Sequence, residues 1–228
     1  MSGETLTYAE IQSLMKLMNI PAAYQDVSKS LIPQNLDKIL TGYMSKFHDL
    51  KKRGIGLIVS GPNGAGKTSA AIYLAKVVKM MKNQDLKPYS CYFIRAFELR
   101  EKYRKSRTID GTTELVYDRC RNVDFLVLDN LAQEDADLTW PGPRMYAELI
   151  IARYMEGKPT VITTNLSKKE FSHYFRELSN SIGGYLHFLV IDGEDQRKKK
   201  SLALAAELEE AAENLQTIAA DPNKQTNG

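Results

Sequence analysis

The chain has 228 residues, with 31 Lys and Arg against 28 Asp and Glu, a net charge of +3 with histidine neutral. At 43% hydrophobic and 26% charged residues, with 14 Gly and 8 Pro, the composition is neither disordered nor collagen-like, and the length suits one domain with appendages. The apolar runs, such as Ile55 to Ser60, fall far short of the ~20 residues of a membrane span, Met1 to Glu10 lacks the basic segment of a secretory signal, and Cys91 and Cys120 lack disulfide-framework or zinc spacing, so a cytoplasmic protein with no membrane contact is expected.

In chain order, Ile11, Leu14, Met15 and Met18 recur at helical spacing before Pro21 stops the pattern, which predicts a short amphipathic helix within residues 1–19. A second helix is predicted over Leu36 to Leu50, with Leu36, Ile39, Leu40, Tyr43, Met44 and Phe47 on one face. The grammar then changes to apolar runs of strand length, Gly56 to Ser60, Ser90 to Ile94, Phe125 to Leu128, Thr160 to Thr163 and Leu186 to Ile191, separated by helix-like segments. Alternation of this kind predicts a parallel five-stranded sheet between two helical layers. Beyond Arg197 the composition turns to Ala, Leu and Glu, and Asp221 to Gly228 is polar, which predicts a disordered tail.

The segment Gly61-Pro62-Asn63-Gly64-Ala65-Gly66-Lys67-Thr68 matches G-x-x-x-x-G-K-[ST] at every fixed position, directly after an apolar run and directly before a helical pattern beginning at Ser69. Glycines let such a loop turn its backbone N–H groups inward on phosphates, and the following helix adds the positive end of its dipole. The residues from Gly61 to Ser69 are therefore the predicted nucleotide cradle, with Lys67 reaching the β- and γ-phosphates and the Thr68 hydroxyl holding Mg2+. A second run, Phe125-Leu126-Val127-Leu128-Asp129, ends in a carboxylate, and Asp129 is the predicted second Mg2+ residue. Asn130 follows where an ATPase would place an acid to polarise the attacking water. An amide orients water without accepting its proton, so slow ATP hydrolysis is expected unless Glu134 or Asp135 supplies the acid. A third run, Val161-Ile162-Thr163-Thr164-Asn165, ends in Asn165, a candidate for the γ-phosphate or attacking water, although Asn also serves as a turn residue.

Together these stretches resemble the AAA+ ATPases of the DnaC/IstB family, which contains replicative-helicase loaders and transposition helper ATPases. The resemblance extends from Ile20-Pro21-Ala22-Ala23-Tyr24 through Tyr92-Phe93-Ile94-Arg95, Asn122 to Leu131, Ala152-Arg153-Tyr154 and Thr164-Asn165-Leu166 to Gly193-Glu194-Asp195-Gln196-Arg197, about residues 20–200. It implies an AAA+ P-loop domain over 20–200, between the helix of 1–19 and an extension over 201–228. It further implies sensor I at Asn165 and sensor II at Arg197. Two departures stand out: the second acid is Asn130, and the run Ser179-Asn180-Ser181-Ile182-Gly183-Gly184 holds no arginine where the family tends to carry an arginine finger, leaving Arg176 as the nearest substitute.

Arg95, Arg100, Lys102, Arg104, Lys105 and Arg107 face only Glu98 and Glu101 in the same stretch, and Tyr103 lies among them. Such a helix suits a nucleic-acid backbone with a stacking aromatic, or is a solvated face. Resemblance to the loaders favours single-stranded DNA. In the C-terminal extension Leu204, Leu208, Ala211, Leu215 and Ile218 follow a helix-seam spacing that packs on its own domain or docks on a partner. The function read from the sequence is an ATP- and Mg2+-dependent loader that binds a replicative hexameric helicase and single-stranded DNA, with self-assembly. The alternatives are an IstB-like transposition helper and a P-loop nucleotide or small-molecule kinase.

Overall fold

In a computed structural model, which describes residues 7–32, 34–106, 114–131, 142–191 and Leu208, the apolar runs become five parallel strands. They are β1 (Gly56–Ser60), β2 (Cys91–Arg95), β3 (Phe125–Leu131), β4 (Thr160–Thr164) and β5 (Leu186–Val190), side by side in the order β2-β3-β4-β1-β5. Successive side chains of a strand point to opposite faces, so each run feeds two cores. Leu57, Val59, Phe125 and Val127 pack with α1 (Tyr8–Leu17), α2 (Gln34–Ser45), α3 (Phe47–Lys52) and α4 (Lys67–Met80) on one side. Ile58, Leu126, Leu128 and Ile162 pack on the other with α5 (Ala96–Ser106), α6 (Glu114–Asn122), α7 (Gly142–Met155), α8 (Lys168–Tyr174) and α9 (Arg176–Ile182). Burial of both faces is why the runs are continuously apolar, and the result is the three-layer α/β arrangement expected.

Two elements differ from the prediction. The helix expected over 36–50 breaks at Lys46 (φ −105°, ψ 11°), which turns Phe47 wholly inward, its ring 5.3 Å from Tyr89 and 5.8 Å from Phe125. Strand β3 runs past Leu128 to Leu131, with an irregular register against β4 between those two residues and a left-handed Asn130 at φ 62°.

The first helix begins with a capping box in which the Thr7 side chain accepts from the Glu10 N–H and the Glu10 side chain accepts from the Thr7 N–H. It buries Met15 and Met18 in the core of α2 and α4. Past its end, the Phe93 N–H donates to the Met18 carbonyl at 2.8 Å and the Asn19 side-chain amide donates to the Phe93 carbonyl at 2.9 Å, closing the outer side of the edge strand β2. Arg153 is the largest fully buried side chain of α7. Its guanidinium donates to the carbonyls of Cys120, Arg121, Val123 and Pro159 and to the Thr160 hydroxyl, at 2.6–3.1 Å, tying the end of α6 to the start of β4. Burial pushes its pKa down to about 10, so it stays protonated at neutral pH. Cys91 and Cys120 are buried, with thiols pushed up to about 12 by burial, and act as small hydrophobes. Among the described residues no helix is long and apolar enough to cross a membrane.

Candidate functional site

The loop between β1 and α4 is fixed at its base by backbone geometry. Ser60, the last residue of β1, accepts the Ile191 N–H at 2.7 Å, and its hydroxyl donates to the Leu166 carbonyl at 2.6 Å. Next, Gly61 has a φ of 155°, and a Cβ there would stand 2.5 Å from the Ile191 carbonyl oxygen, a contact no side chain tolerates. Gly64 and Gly66 adopt φ 76° and 93°, the left-handed region that glycine enters without steric penalty. The chain then turns into α4, whose first-turn N–H groups lack intrahelical partners and face the loop end of the helix.

Lys67, only 7% exposed, donates to the carbonyls of Gly61 and Pro62 at 2.8 Å each. Its ammonium is thus held inside the turn of the loop, where burial without such acceptors would be costly. Thr68 donates its hydroxyl to Asp129 Oδ1 at 2.8 Å, and Thr163 donates to the same oxygen at 2.7 Å. Burial pushes the Asp129 carboxyl above the usual carboxylate range, opposed by these two hydrogen bonds and by the charges of Arg95 and Lys67. Arg95 stands in register with Asp129 on the neighbouring strand β2. A hydroxyl that gives its proton to a carboxylate keeps its lone pairs, so Thr68 and Asp129 form a pair of hard oxygen donors that fits Mg2+.

Asn130 and Asn165 flank this pair. The Asn130 N–H donates to Thr163 Oγ1 at 2.8 Å, and the residue lies in the wall of a cavity of about 480 Å3 bounded by Arg95, Phe97, Glu98, Glu101, Lys102 and Lys105. Asn165 donates its amide to Asn63 Oδ1 in the loop at 3.0 Å, while its own Oδ1 is buried without a partner among the described residues. Arg197, Glu134 and Asp135 lie outside the described residues, as do Arg107 and the extension 201–228 save Leu208. Arg176 is exposed at the first position of α9.

The basic residues of α5 are partly engaged with neighbours. Lys102 pairs with Glu98 at 3.0 Å and Arg104 with Glu101 at 3.1 Å, contacts of the weak, exposed kind. The Arg100 guanidinium lies 5.5 Å from the ring centre of Phe97, and Arg95 and Lys105 are exposed. Tyr103 is half-buried with its ring 5.0 Å from Tyr117, a packing contact that the sequence reading did not assign to it. The exposed aromatic of this face is Phe97.

Three residues escaped the sequence reading. Thr163 was legible only by aligning strand ends, because β4 lies beside β3 and its hydroxyl meets Asp129 across the pair. Phe97 gives no motif signal, and Arg153 looked like one charge in a family-like stretch.

Among curated proteins no sequence matches this chain. The family model described as IstB-like ATP binding protein matches residues 44–205, from α2 past the last strand. The chain belongs to this IstB-like ATP-binding family. Among solved structures it is similar to the DnaC helicase loader, with 21% identity, a TM-score of 0.61, and coverage of 75% of this chain and 100% of that one. It is similar to DnaI with 20% identity, a TM-score of 0.60, and coverage of 77% and 96%. It is also similar to the replication initiator DnaA bound to AMPPCP and single-stranded DNA, with 14% identity and a TM-score of 0.55 over 73% of this chain and 52% of that one. The chain therefore spans about half the length of that DnaA and nearly all of the DnaC and DnaI chains. At these identities the likeness is one of fold.

Proposed function

We propose that this IstB-like protein is an ATP-dependent helicase loader that binds a replicative hexameric helicase and single-stranded DNA, with ATP binding as the switch and slow hydrolysis as the reset. The observation that carries this reading is that the nucleotide loop and the basic helix α5 share the carboxyl end of one sheet, with Arg95 at the foot of α5 in register with Asp129. Ligands of α/β sheets gather at that end. The fold likeness to a helicase loader over all of the DnaC chain supports it.

In this reading Gly61 to Ser69 wrap the phosphates, Lys67 exchanges its loop carbonyls for phosphate oxygens, and Thr68 and Asp129 hold Mg2+. When bound, Mg2+ neutralises charge on the phosphate oxygens. Asn165, with its unpartnered amide oxygen, senses the γ-phosphate or orients the attacking water. Asn130 orients water but accepts no proton, which makes turnover slow. Arg197 completes the site as sensor II, and Arg176 acts across the interface of a self-assembled form. Arg95, Arg100, Lys102, Arg104, Lys105 and Arg107 contact the DNA backbone.

A transposition helper that binds duplex DNA is the second reading, favoured by the matching family model being IstB-like. Light scattering of the protein mixed with a hexameric replicative helicase, in ATP or ADP and with or without single-stranded DNA, separates the two. A nucleotide-sensitive complex is expected. No complex, together with tight ATP-dependent binding to duplex DNA, overturns the loader reading in favour of the helper.

A further inference from the structure

Asn130 belongs to two places at once. It lines the cavity that Arg95, Phe97 and Lys102 help to form beside α5, where Phe97 is 47% exposed. Its backbone is part of the nucleotide site, because it follows Asp129 directly and gives its N–H to Thr163 Oγ1. The Thr163 hydroxyl has one proton, and that proton goes to Asp129 Oδ1, which also accepts from Thr68. Three short hydrogen bonds therefore run from the cavity wall to the last residue of the P-loop, through the Asn130 backbone, the two threonine hydroxyls and the Asp129 carboxylate. The chain at Asn130 is also held in the left-handed region, inside the register irregularity of β3 against β4. Backbone of this kind persists only where its surroundings dictate it, and an irregularity of this sort re-aims the residues beside a site.

We propose that Asn130 is a positioning residue that couples a single-stranded polynucleotide in this cavity to the Asp129 carboxylate, so that filling either site changes the affinity of the other. The inference rests on the reading of α5 as the DNA-binding face. The cavity has the chemistry for it: Phe97 presents a ring to a base, Arg95, Lys102 and Lys105 outnumber Glu98 and Glu101 in the wall and leave it positive toward phosphates, and the Asn130 carboxamide supplies both a donor and an acceptor for a base edge. A base that grips the carboxamide moves the 129–130 peptide, which carries with it both Asp129 and the N–H that orients Thr163. A nucleotide that fixes Asp129 and Thr68 fixes the same peptide from the other side. Linkage requires the two effects to be equal in factor.

The test is fluorescence anisotropy of a labelled oligothymidylate of about 20 nucleotides, long enough for such a surface, titrated with the full chain. Titrations are made with and without saturating Mg2+ and a non-hydrolysable ATP analogue, for the wild type, Thr163→Val, Thr163→Ser and Asn130→Gly. Glycine keeps the left-handed backbone and removes only the carboxamide. A fluorescent nucleotide read separately shows that each variant is loaded, and Asn130→Gly decides the matter if Thr163→Val loses nucleotide. The wild-type Kd for the oligonucleotide should shift by about fivefold or more with nucleotide, Thr163→Val and Asn130→Gly should bring the shift below about twofold, and Thr163→Ser should retain it. An oligonucleotide Kd indifferent to nucleotide in the wild type, or a full shift in Asn130→Gly, overturns the coupling and leaves the α5 reading standing. Absence of oligonucleotide binding by the wild type overturns the α5 reading and the coupling with it.

Discussion

Thr68 and Asp129, 61 positions apart in the chain, are joined by a 2.8 Å hydrogen bond from hydroxyl to carboxylate. The first turn of α4 and the end of β3 are therefore already in the relation that two hard oxygen donors need to share one cation. A preorganised pair loses little ordering free energy on binding, which is where affinity at such sites comes from.

Lys67→Ala should lower ATP affinity by roughly 30-fold or more, the loss expected when one partner of a buried charged hydrogen-bonding pair is truncated. Titration with a fluorescent ATP analogue measures it, and wild-type affinity in the variant would refute the phosphate role of Lys67.

For Asp129→Asn two opposite effects are expected. Mg2+-dependent ATP binding should weaken, because an amide is a poor ligand for a hard cation. Thermal stability without nucleotide should rise, because burial holds the Asp129 carboxyl above its unfolded range. The sign follows from linkage: a carboxyl with a raised folded pKa favours folding below its unfolded pKa, and this contribution is lost as pH rises through the folded value. At pH 7 the charged group is thus a burden that the amide removes, and melting should shift upward by about 2–4 °C for each kcal/mol gained. The difference in melting temperature between variant and wild type should shrink toward pH 4. An unchanged or lower melting temperature at pH 7 contradicts the burial argument.

Asn130→Asp should raise steady-state ATP turnover, by about tenfold or more if a proton acceptor is what the site lacks. Aspartate is the substitution of choice because, like asparagine, it tolerates the left-handed backbone seen at this position better than a longer side chain does. Phosphate release at saturating ATP gives the answer, and equal rates would mean that the missing acid comes from elsewhere.

Arg153→Met should destabilise the fold by about 3–5 kcal/mol, since it leaves the carbonyls of Cys120, Arg121, Val123 and Pro159 buried without their donor. Urea unfolding would show a lower midpoint. The loss should fall on stability, with nucleotide affinity preserved in the folded fraction.

Double charge reversal, Arg100→Glu with Arg104→Glu, should weaken single-stranded DNA binding and flatten its dependence on salt, because fewer counterions are released. An unaltered slope of log Kd against log salt would return α5 to an ordinary solvated face.

Much of this architecture was legible in the sequence, for a physical reason. Strands buried on both faces must be apolar throughout, so Gly56 to Ser60 is legible in full and Phe125 to Leu128 up to the point where β3 runs on through Asp129 and Asn130 to Leu131. The loop from Gly61 to Thr68 is legible because its backbone needs glycine at fixed points. What stayed hidden depends on register and on contacts between distant segments. Thr163 reaches Asp129 only because β4 lies beside β3, and no spacing along one chain reports which strands are neighbours. The role of Arg153 is set by four carbonyls, which are the same in every sequence. The break at Lys46 follows from the need to seat Phe47 against Tyr89 and Phe125, both far along the chain.

The pairing of Met18 and Asn19 with Phe93 has a consequence for how the protein can be handled. A shortened chain starting near residue 20 would keep every residue of the nucleotide loop, yet it would leave the outward N–H and carbonyl of Phe93 on the edge strand β2 without these partners. Bare edges recruit other bare edges. The turn at Met18 and Asn19, just past the leading helix, thus guards this edge against pairing with another chain.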